Sequence, residues 1–138
     1  MSYAEIQTGA VIRYPYLWAA QARMGETEGR KTRPVAVAVR LRRNKGLDTI
    51  ILLPVTSKQP DSTRFSREIP QTEKRRAGLD VDLRIWIVLD EYNLDTVGTS
   101  FYLEPDPPLG MFSKAFFLPL MREFIVRRQE FKGVNRRL

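Results

Sequence analysis

The chain has 138 residues, the length of one ordinary domain, and its 43% hydrophobic and 28% charged residues are typical of a globular protein with a substantial core. The sequence contains no Cys and no His, which excludes disulfides, thiolate metal sites, a cysteine nucleophile and the commonest near-neutral acid or base. A formal net charge of +7 favours a polyanionic partner, although a solvated basic surface fits the same figure.

The first half of the chain predicts three strands. Residues 11–16 are rich in β-branched and aromatic side chains, which indicates a first strand. Residues 19–31 are polar and charged, so we expect a loop there, with a helical turn over 19–24. Residues 35–41 and 49–55 predict a hairpin, and the nearly continuous apolar run of its second strand indicates a central position in the sheet.

The second half of the chain predicts short elements up to about residue 103. Residues 68–70 indicate a short extended piece, and residues 71–77 indicate one or two turns of helix that end at Gly78. Residues 84–89 predict a strong strand, and we expect a final strand around 96–103.

The C-terminal part predicts an amphipathic helix over about 113–130, capped by Ser113. Pro119 implies either a kink in this helix or a helix whose first turn contains the proline. We expect the basic tail 131–138 to be frayed. The whole pattern predicts a single domain over 1–138 that is mainly β with a C-terminal helix, arranged as a small barrel or sandwich.

The sequence gives no sign of a membrane protein. Its N-terminus lacks the apolar core of a signal peptide, and its longest apolar stretches, 50–55 and 85–89, are too short to span a bilayer. We therefore expect a cytoplasmic protein.

One candidate site begins at the tetrapeptide Lys31-Thr32-Arg33-Pro34, at the junction between the polar loop and the second strand. Pro34 favours an extended Arg33, which holds the guanidinium at the edge between loop and strand. The planar fork of an Arg suits a phosphate or a pentacoordinate phosphorane. The alternative is an ordinary surface Arg before a strand.

Two further candidate segments lie at the ends of the next two predicted strands. The hydroxyls of Thr56 and Ser57 can hydrogen-bond a phosphate oxygen or orient a 2′-hydroxyl, although an ordinary turn would use them in the same way. Asp90 and Glu91 stand at the end of the strong strand, where a carboxylate is a candidate general base or a solvated terminus. Trp18 is a candidate for stacking on a nucleobase, or for the core.

The order of these segments resembles a known family. A Gly-containing loop followed by K-T-R-P-V-x-V-x-V, then a strand end P-V-T-S, then a strand that ends in Asp, is similar to the MazF/PemK family of type II toxin–antitoxin ribonucleases. The resemblance covers residues 9–99, and the C-terminal helix is in the corresponding place. It depends on the order and spacing of the motifs rather than on either motif alone.

The resemblance implies an SH3-like barrel of the CcdB/MazF/PemK type that forms a homodimer. It implies metal-independent cleavage of single-stranded RNA, without a cofactor, and inhibition by an acidic antitoxin protein that occupies the RNA site. It assigns Arg33 as the essential Arg and Thr56 as the hydroxyl residue of the catalytic site. Asp90, with Glu91 as a weaker candidate, falls near the acid that some members use.

The predicted RNA-binding residues are Lys31, Thr32, Ser57, Lys58, Arg13, Trp18 and Asn93.

The chain departs from the family in two places: some members carry an Arg where this chain has Val88, and some use a His. Two alternatives therefore stay open, a non-catalytic barrel that binds RNA or a protein, and a gyrase-poisoning toxin of the same fold.

Overall fold

The structure is a computed structural model that describes residues 3–29, 31–43 and 46–137. These residues form eight strands and three α-helices. In chain order the elements are β1 (Ala10–Tyr14), α1 (Ala19–Arg23), β2 (Arg33–Leu41), β3 (Thr49–Thr56), β4 (Ser66–Glu68), α2 (Gln71–Arg76), β5 (Trp86–Val88), β6 (Glu91–Thr96), β7 (Gly110–Met111), α3 (Lys114–Arg127) and β8 (Lys132–Asn135). The molecule is therefore mainly β with a C-terminal helix, as predicted.

All strands belong to one curled sheet that forms a half-barrel. Its main path runs β4-β5-β3-β2-β1-β7, and β6 pairs with β3 and with β8. The pairing is antiparallel except between β6 and β8, which run parallel. The central strand is β3, because it pairs with β2 along one edge and with both β5 and β6 along the other.

Both faces of the sheet are buried, and the side chains of β2 alternate between them from Val35 to Ala38. Ala36 and Ala38 belong to the same cluster as Phe117 and Phe124 of α3, and each buried Phe stabilises the fold by about 2–3 kcal/mol. Val35 and Val37 point to the second cluster, which the N-terminal segment and the chain after β6 cover. A β-bulge between Val37 and Val39 interrupts the alternation, so Val39 packs against the first cluster.

Several predicted elements are confirmed. The hairpin of β2 and β3, the helical turn α1 and the short helix α2 all form, and Gly78 follows α2 with a φ of 72°. The Ser113 side chain caps α3 by accepting a hydrogen bond from the Phe116 amide. Pro119 lies inside α3, which excludes the alternative of a helix whose first turn contains the proline, and the helix runs on without one backbone donor.

Two predictions are wrong. The expected strand at 96–103 does not form; instead the strand ends at Thr96, and β6 begins at Glu91. The buried positions of β6 are occupied by Glu91, Asn93 and Asp95. Because these residues are polar, the sequence does not show the apolar residues at every second position that would have predicted this strand. The tail is not frayed over 132–136, because β8 pairs with β6 and Arg136 is only 5% exposed.

Within the described residues, no helix has the length and apolar character that crossing a bilayer requires.

Candidate functional site

A cleft of about 1220 Å³ opens where β2 begins and β3 ends. Its lining includes most of the predicted site residues, namely Arg13, Trp18, Lys31, Thr32, Arg33, Thr56, Ser57 and Lys58. The loop after β3 and the chain between α2 and β5 complete the walls. Segments that are distant in sequence therefore meet in one concave surface, the usual form of a ligand site.

The pairing of β2 with β3 brings Arg33 and Thr56 together. The paired part of β2 and β3 ends with Val35 opposite Pro54, and Arg33 and Thr56 each lie two residues beyond this last pair. Both residues line the cleft. The hairpin therefore brings the predicted Arg and the predicted hydroxyl into one concave surface.

The Thr56 hydroxyl accepts a hydrogen bond from the Lys58 amide at 3.1 Å. The Thr56 hydroxyl thus takes part in an ordinary turn, which was the alternative role predicted for it. A hydroxyl can accept and donate at once, so the Thr56 O–H hydrogen is still available to a phosphate oxygen.

Arg33 is held by stacking on an aromatic ring. Its guanidinium carbon lies 5.2 Å from the centre of the Trp18 ring, within the range of a cation–π contact. Its Nε is buried, and no described residue forms a hydrogen bond with it. Burial lowers the pKa of the guanidinium, and the nearby Tyr16 opposes that shift. The group is still a cation near neutral pH, because an Arg starts from a pKa above 12.

A second cation of the cleft, Arg64, was not anticipated from the sequence. Its Nε and Nη2 donate to both carboxylate oxygens of Asp90 at 2.8 and 2.7 Å, and Nη2 also donates to Glu91 at 2.9 Å. The hydrogen bonds from Arg64 to Asp90 raise the pKa of this guanidinium. No local pattern marks Arg64, because its partners lie 26 and 27 residues further along the chain.

Asp90, the predicted general base, is not among the residues that line the cleft. It accepts both hydrogen bonds from Arg64 and a further one from the Phe65 amide at 3.1 Å. Partial burial alone would raise the pKa of Asp90, but these hydrogen bonds outweigh it and hold the pKa below its ordinary value. Asp90 is thus an ionised anchor for Arg64 and a weaker proton acceptor than a free carboxylate.

Glu91 and Asn93 lie in β6, also outside the cleft, and are 5% and 0% exposed. Glu91 accepts hydrogen bonds from the Tyr16 hydroxyl at 3.0 Å and from the Ala19 amide at 2.9 Å. Burial, with the negative charge of Glu91, raises the pKa of Tyr16.

Asn93 pairs with both backbone polar groups of Leu17 and accepts from Arg136. Together, Glu91 and Asn93 fix the segment 16–19, which carries Trp18 and through it Arg33. The structure therefore places both residues behind the site rather than in it.

The described residues include no group of three or more acidic side chains arranged to hold a metal ion. No protein-family model, curated protein or solved structure matches the chain.

Proposed function

We propose that this chain is the toxin of a type II toxin–antitoxin system, an SH3-like barrel of the MazF/PemK type that cleaves single-stranded RNA in the cleft. The proposal depends on one observation above all: Arg33 and Thr56 line the same basic cleft, and the buried Nε of Arg33 has no hydrogen-bond partner among the described residues. A buried polar atom without a partner is rare and points to a ligand that supplies one.

Five cations line the cleft: Arg13, Lys31, Arg33, Lys58 and Arg64. Their combined field attracts the phosphates of a nucleic acid and makes the affinity depend steeply on salt. The exposed part of the Trp18 ring offers a face on which a base can stack, which favours a single strand over a duplex.

The proposed reaction forms a bond from the 2′-oxygen to the adjacent phosphorus and breaks the bond from phosphorus to the 5′-oxygen. It leaves a 2′,3′-cyclic phosphate on one fragment and a 5′-hydroxyl on the other. The guanidinium of Arg33 stabilises the charge of the phosphorane, an effect worth about 3 kcal/mol, and Thr56 donates to a non-bridging oxygen. Arg64 lines the same cleft, but its ion pairs with Asp90 and Glu91 neutralise its charge.

The proton of the 2′-hydroxyl leaves to solvent hydroxide, and the departing 5′-oxygen takes a proton from water. We prefer solvent to Asp90 as the base because Asp90 is already bound to Arg64 and its pKa is lowered. The cleavage rate then rises about tenfold for each pH unit near neutrality. A rate independent of pH between 6 and 8 would instead favour an ionised carboxylate such as Asp90 as the base.

The second candidate function is a non-catalytic RNA-binding barrel. The pairing of Asp90 favours it, since the carboxylate predicted to act as the base is saturated by Arg64 and Phe65. A binder needs only the basic cleft and the stacking surface of Trp18.

Incubation with a long unstructured RNA in EDTA separates the two candidates. Discrete fragments with cyclic phosphate ends support the ribonuclease. RNA that is retarded on a gel but uncut supports the binder, and RNA that is neither retarded nor cut at low salt contradicts both.

The proposed partners are a second copy of the chain and an acidic antitoxin whose segment lies across the basic cleft. Because this contact is electrostatic, its affinity for an acidic peptide falls as salt rises. An unchanged affinity between low and high salt would contradict the antitoxin site. Sedimentation analysis tests the homodimer.

A further inference from the structure

The cleft lies at the end of β3, which pairs with β2 along one edge and with β5 along the other. Arg33, the first residue of β2, lies on one side. The segment that precedes β5 lies on the other side and contributes Gly78, Leu79, Asp80, Leu83 and Ile85 to the lining, a surface here named the apolar wall. A ligand in the cleft thus meets Arg33 on one side and an apolar surface with a single carboxylate on the other.

The apolar wall is rigid because α2 holds its backbone. The buried Lys74 donates from Nζ to the carbonyl oxygens of Leu83 at 2.5 Å and Val81 at 3.5 Å. Gln71 donates to the same Val81 carbonyl at 2.8 Å, and the Leu79 amide donates to the Lys74 carbonyl at 2.8 Å. A surface ordered in advance loses little entropy when a ligand binds to it.

Gly78 fixes the beginning of the apolar wall. Its φ of 72° lies in the left-handed region, and an added Cβ would approach the Leu109 carbonyl oxygen to 2.3 Å. The backbone of the wall is therefore pressed against residue 109, and the position admits only glycine.

The wall exposes groups that have no partner in the described part of the chain. Leu83 is 47% exposed, although it is a large apolar side chain inside a cleft. Asp80 accepts one hydrogen bond, from the Asp82 amide at 2.9 Å, and forms no ion pair with any described cation. An unpaired carboxylate repels a phosphate, so a nucleic-acid backbone in this cleft lies along the opposite wall and its bases face Asp80.

We infer, on the basis of the proposed RNA binding, that the apolar wall is a base-recognition subsite for a nucleobase with an exocyclic amino group. The exposed Leu83 contacts the face of the base, and Asp80 accepts the hydrogen bond of the amino group. Carboxylates accept in this way from the amino group of cytosine, whereas uracil has no such group. Asp80 therefore decides which bases enter the subsite.

The test uses binding of fluorescent 2′-deoxy homopolymers of cytosine, adenine and uracil, which lack the nucleophilic 2′-hydroxyl and are not cut. The wild-type protein is expected to bind the cytosine or the adenine strand about tenfold more tightly than the uracil strand. Asp80→Asn is expected to remove or reverse this preference, because its amide donates to the O4 of uracil.

Asp82→Asn is the matched control, since it removes the same charge two residues away from an exposed acid that does not line the cleft. This variant is expected to keep the wild-type preference. Leu83→Ser, at an exposed position, is expected to weaken binding of all three strands severalfold.

Equal wild-type affinity for the three strands, or equal shifts in Asp80→Asn and Asp82→Asn, would overturn the inference and leave the proposed RNA cleavage standing. Absence of binding to every strand at low salt, together with uncut RNA, would overturn the proposed function and the subsite with it.

Discussion

The two sets of polar residues predicted for the site have opposite environments in the fold. Arg33 and Thr56 stand at the mouth of the cleft with hydrogen-bonding capacity unused by the protein. Asp90, Glu91 and Asn93 are bound by donors from the N-terminal segment, from Arg64 and from the C-terminus. Residue type alone did not separate these sets, whereas the presence or absence of an internal partner does.

The difference has a physical basis. A buried polar group without a partner costs about 1–3 kcal/mol, so a fold normally provides one. Where the partners are complete, as around Asn93, the group stabilises the fold. Where a cation stays unpaired at a concave surface, as Arg33 does, a ligand can supply the partner. Substitution of an unpaired residue such as Arg33 is therefore expected to lower activity, and substitution of a paired residue such as Asn93 is expected to lower stability.

The largest effect is expected for Arg33→Ala. Cleavage of RNA should fall about 150-fold, the rate equivalent of about 3 kcal/mol, because the phosphorane loses its principal positive charge. The free energy of unfolding should fall by only about 1 kcal/mol, since the cation–π contact with Trp18 is lost but no ion pair within the described residues is. Single-turnover cleavage and urea denaturation measure the two quantities.

Two variants control for the Arg33 result. Arg33→Lys keeps the charge but loses the planar fork, and should recover only a small part of the activity. Arg42→Ala removes an exposed cation outside the cleft and should cleave like the wild type. Cleavage by Arg33→Ala at the wild-type rate would exclude Arg33 as the residue that stabilises the phosphorane.

Asn93→Ala should lower the free energy of unfolding by about 3 kcal/mol, because both backbone groups of Leu17 lose their partner in the core. Urea denaturation measures this loss, and Asn135→Ala, at an exposed position of β8, should change it by about 0.5 kcal/mol. If Asn93→Ala kept its stability but lost cleavage, Asn93 would be a residue of the site, and the distinction between paired and unpaired residues would be contradicted.

Asp90→Asn should destabilise the protein by about 2 kcal/mol at pH 7, since it breaks charged hydrogen bonds with Arg64. The pKa of Asp90 is lower in the folded than in the unfolded chain, so its stabilisation is present above the unfolded pKa of about 3.9 and is lost as pH falls through the folded value.

The stability difference between the wild type and Asp90→Asn should therefore shrink toward zero between about pH 5 and pH 2. Denaturation curves over this range measure it, with the exposed Asp82→Asn as a control that should track the wild type. A difference that stays constant down to low pH would show that the Arg64 pair does not govern the pKa of Asp90.

The smallest effect is expected for Thr56→Val, which keeps the shape of the side chain and removes its hydroxyl. Cleavage should fall about tenfold, the value of one hydrogen bond to a charged oxygen. Thr56→Ser retains the hydroxyl and should stay within a factor of two or so of the wild type. Equal activity of the Val and Ser variants would exclude Thr56 from phosphate contact.

The elements that were predicted correctly carry their signal in neighbouring residues. The alternation of β2 and the apolar run of β3 define a hairpin, and Ser113 with its apolar stripe defines α3. The missed strand β6 carries no such signal, because its buried residues Glu91, Asn93 and Asp95 are polar, and β8 has only Val134 as an apolar residue. The burial of Glu91 and Asn93 is tolerated only by partners far away in the chain.

The sequence by itself determined the mainly β fold with a C-terminal helix, the hairpin of β2 and β3, and the basic character of the chain, because composition and the pattern of neighbouring residues carry these features. Tertiary structure alone decided that Asp90 is paired, that Arg64 enters the cleft and that the segment 78–85 completes its lining. Those outcomes depend on contacts between distant residues, and hydrogen bonds and ion pairs of this kind leave no periodic trace in the sequence.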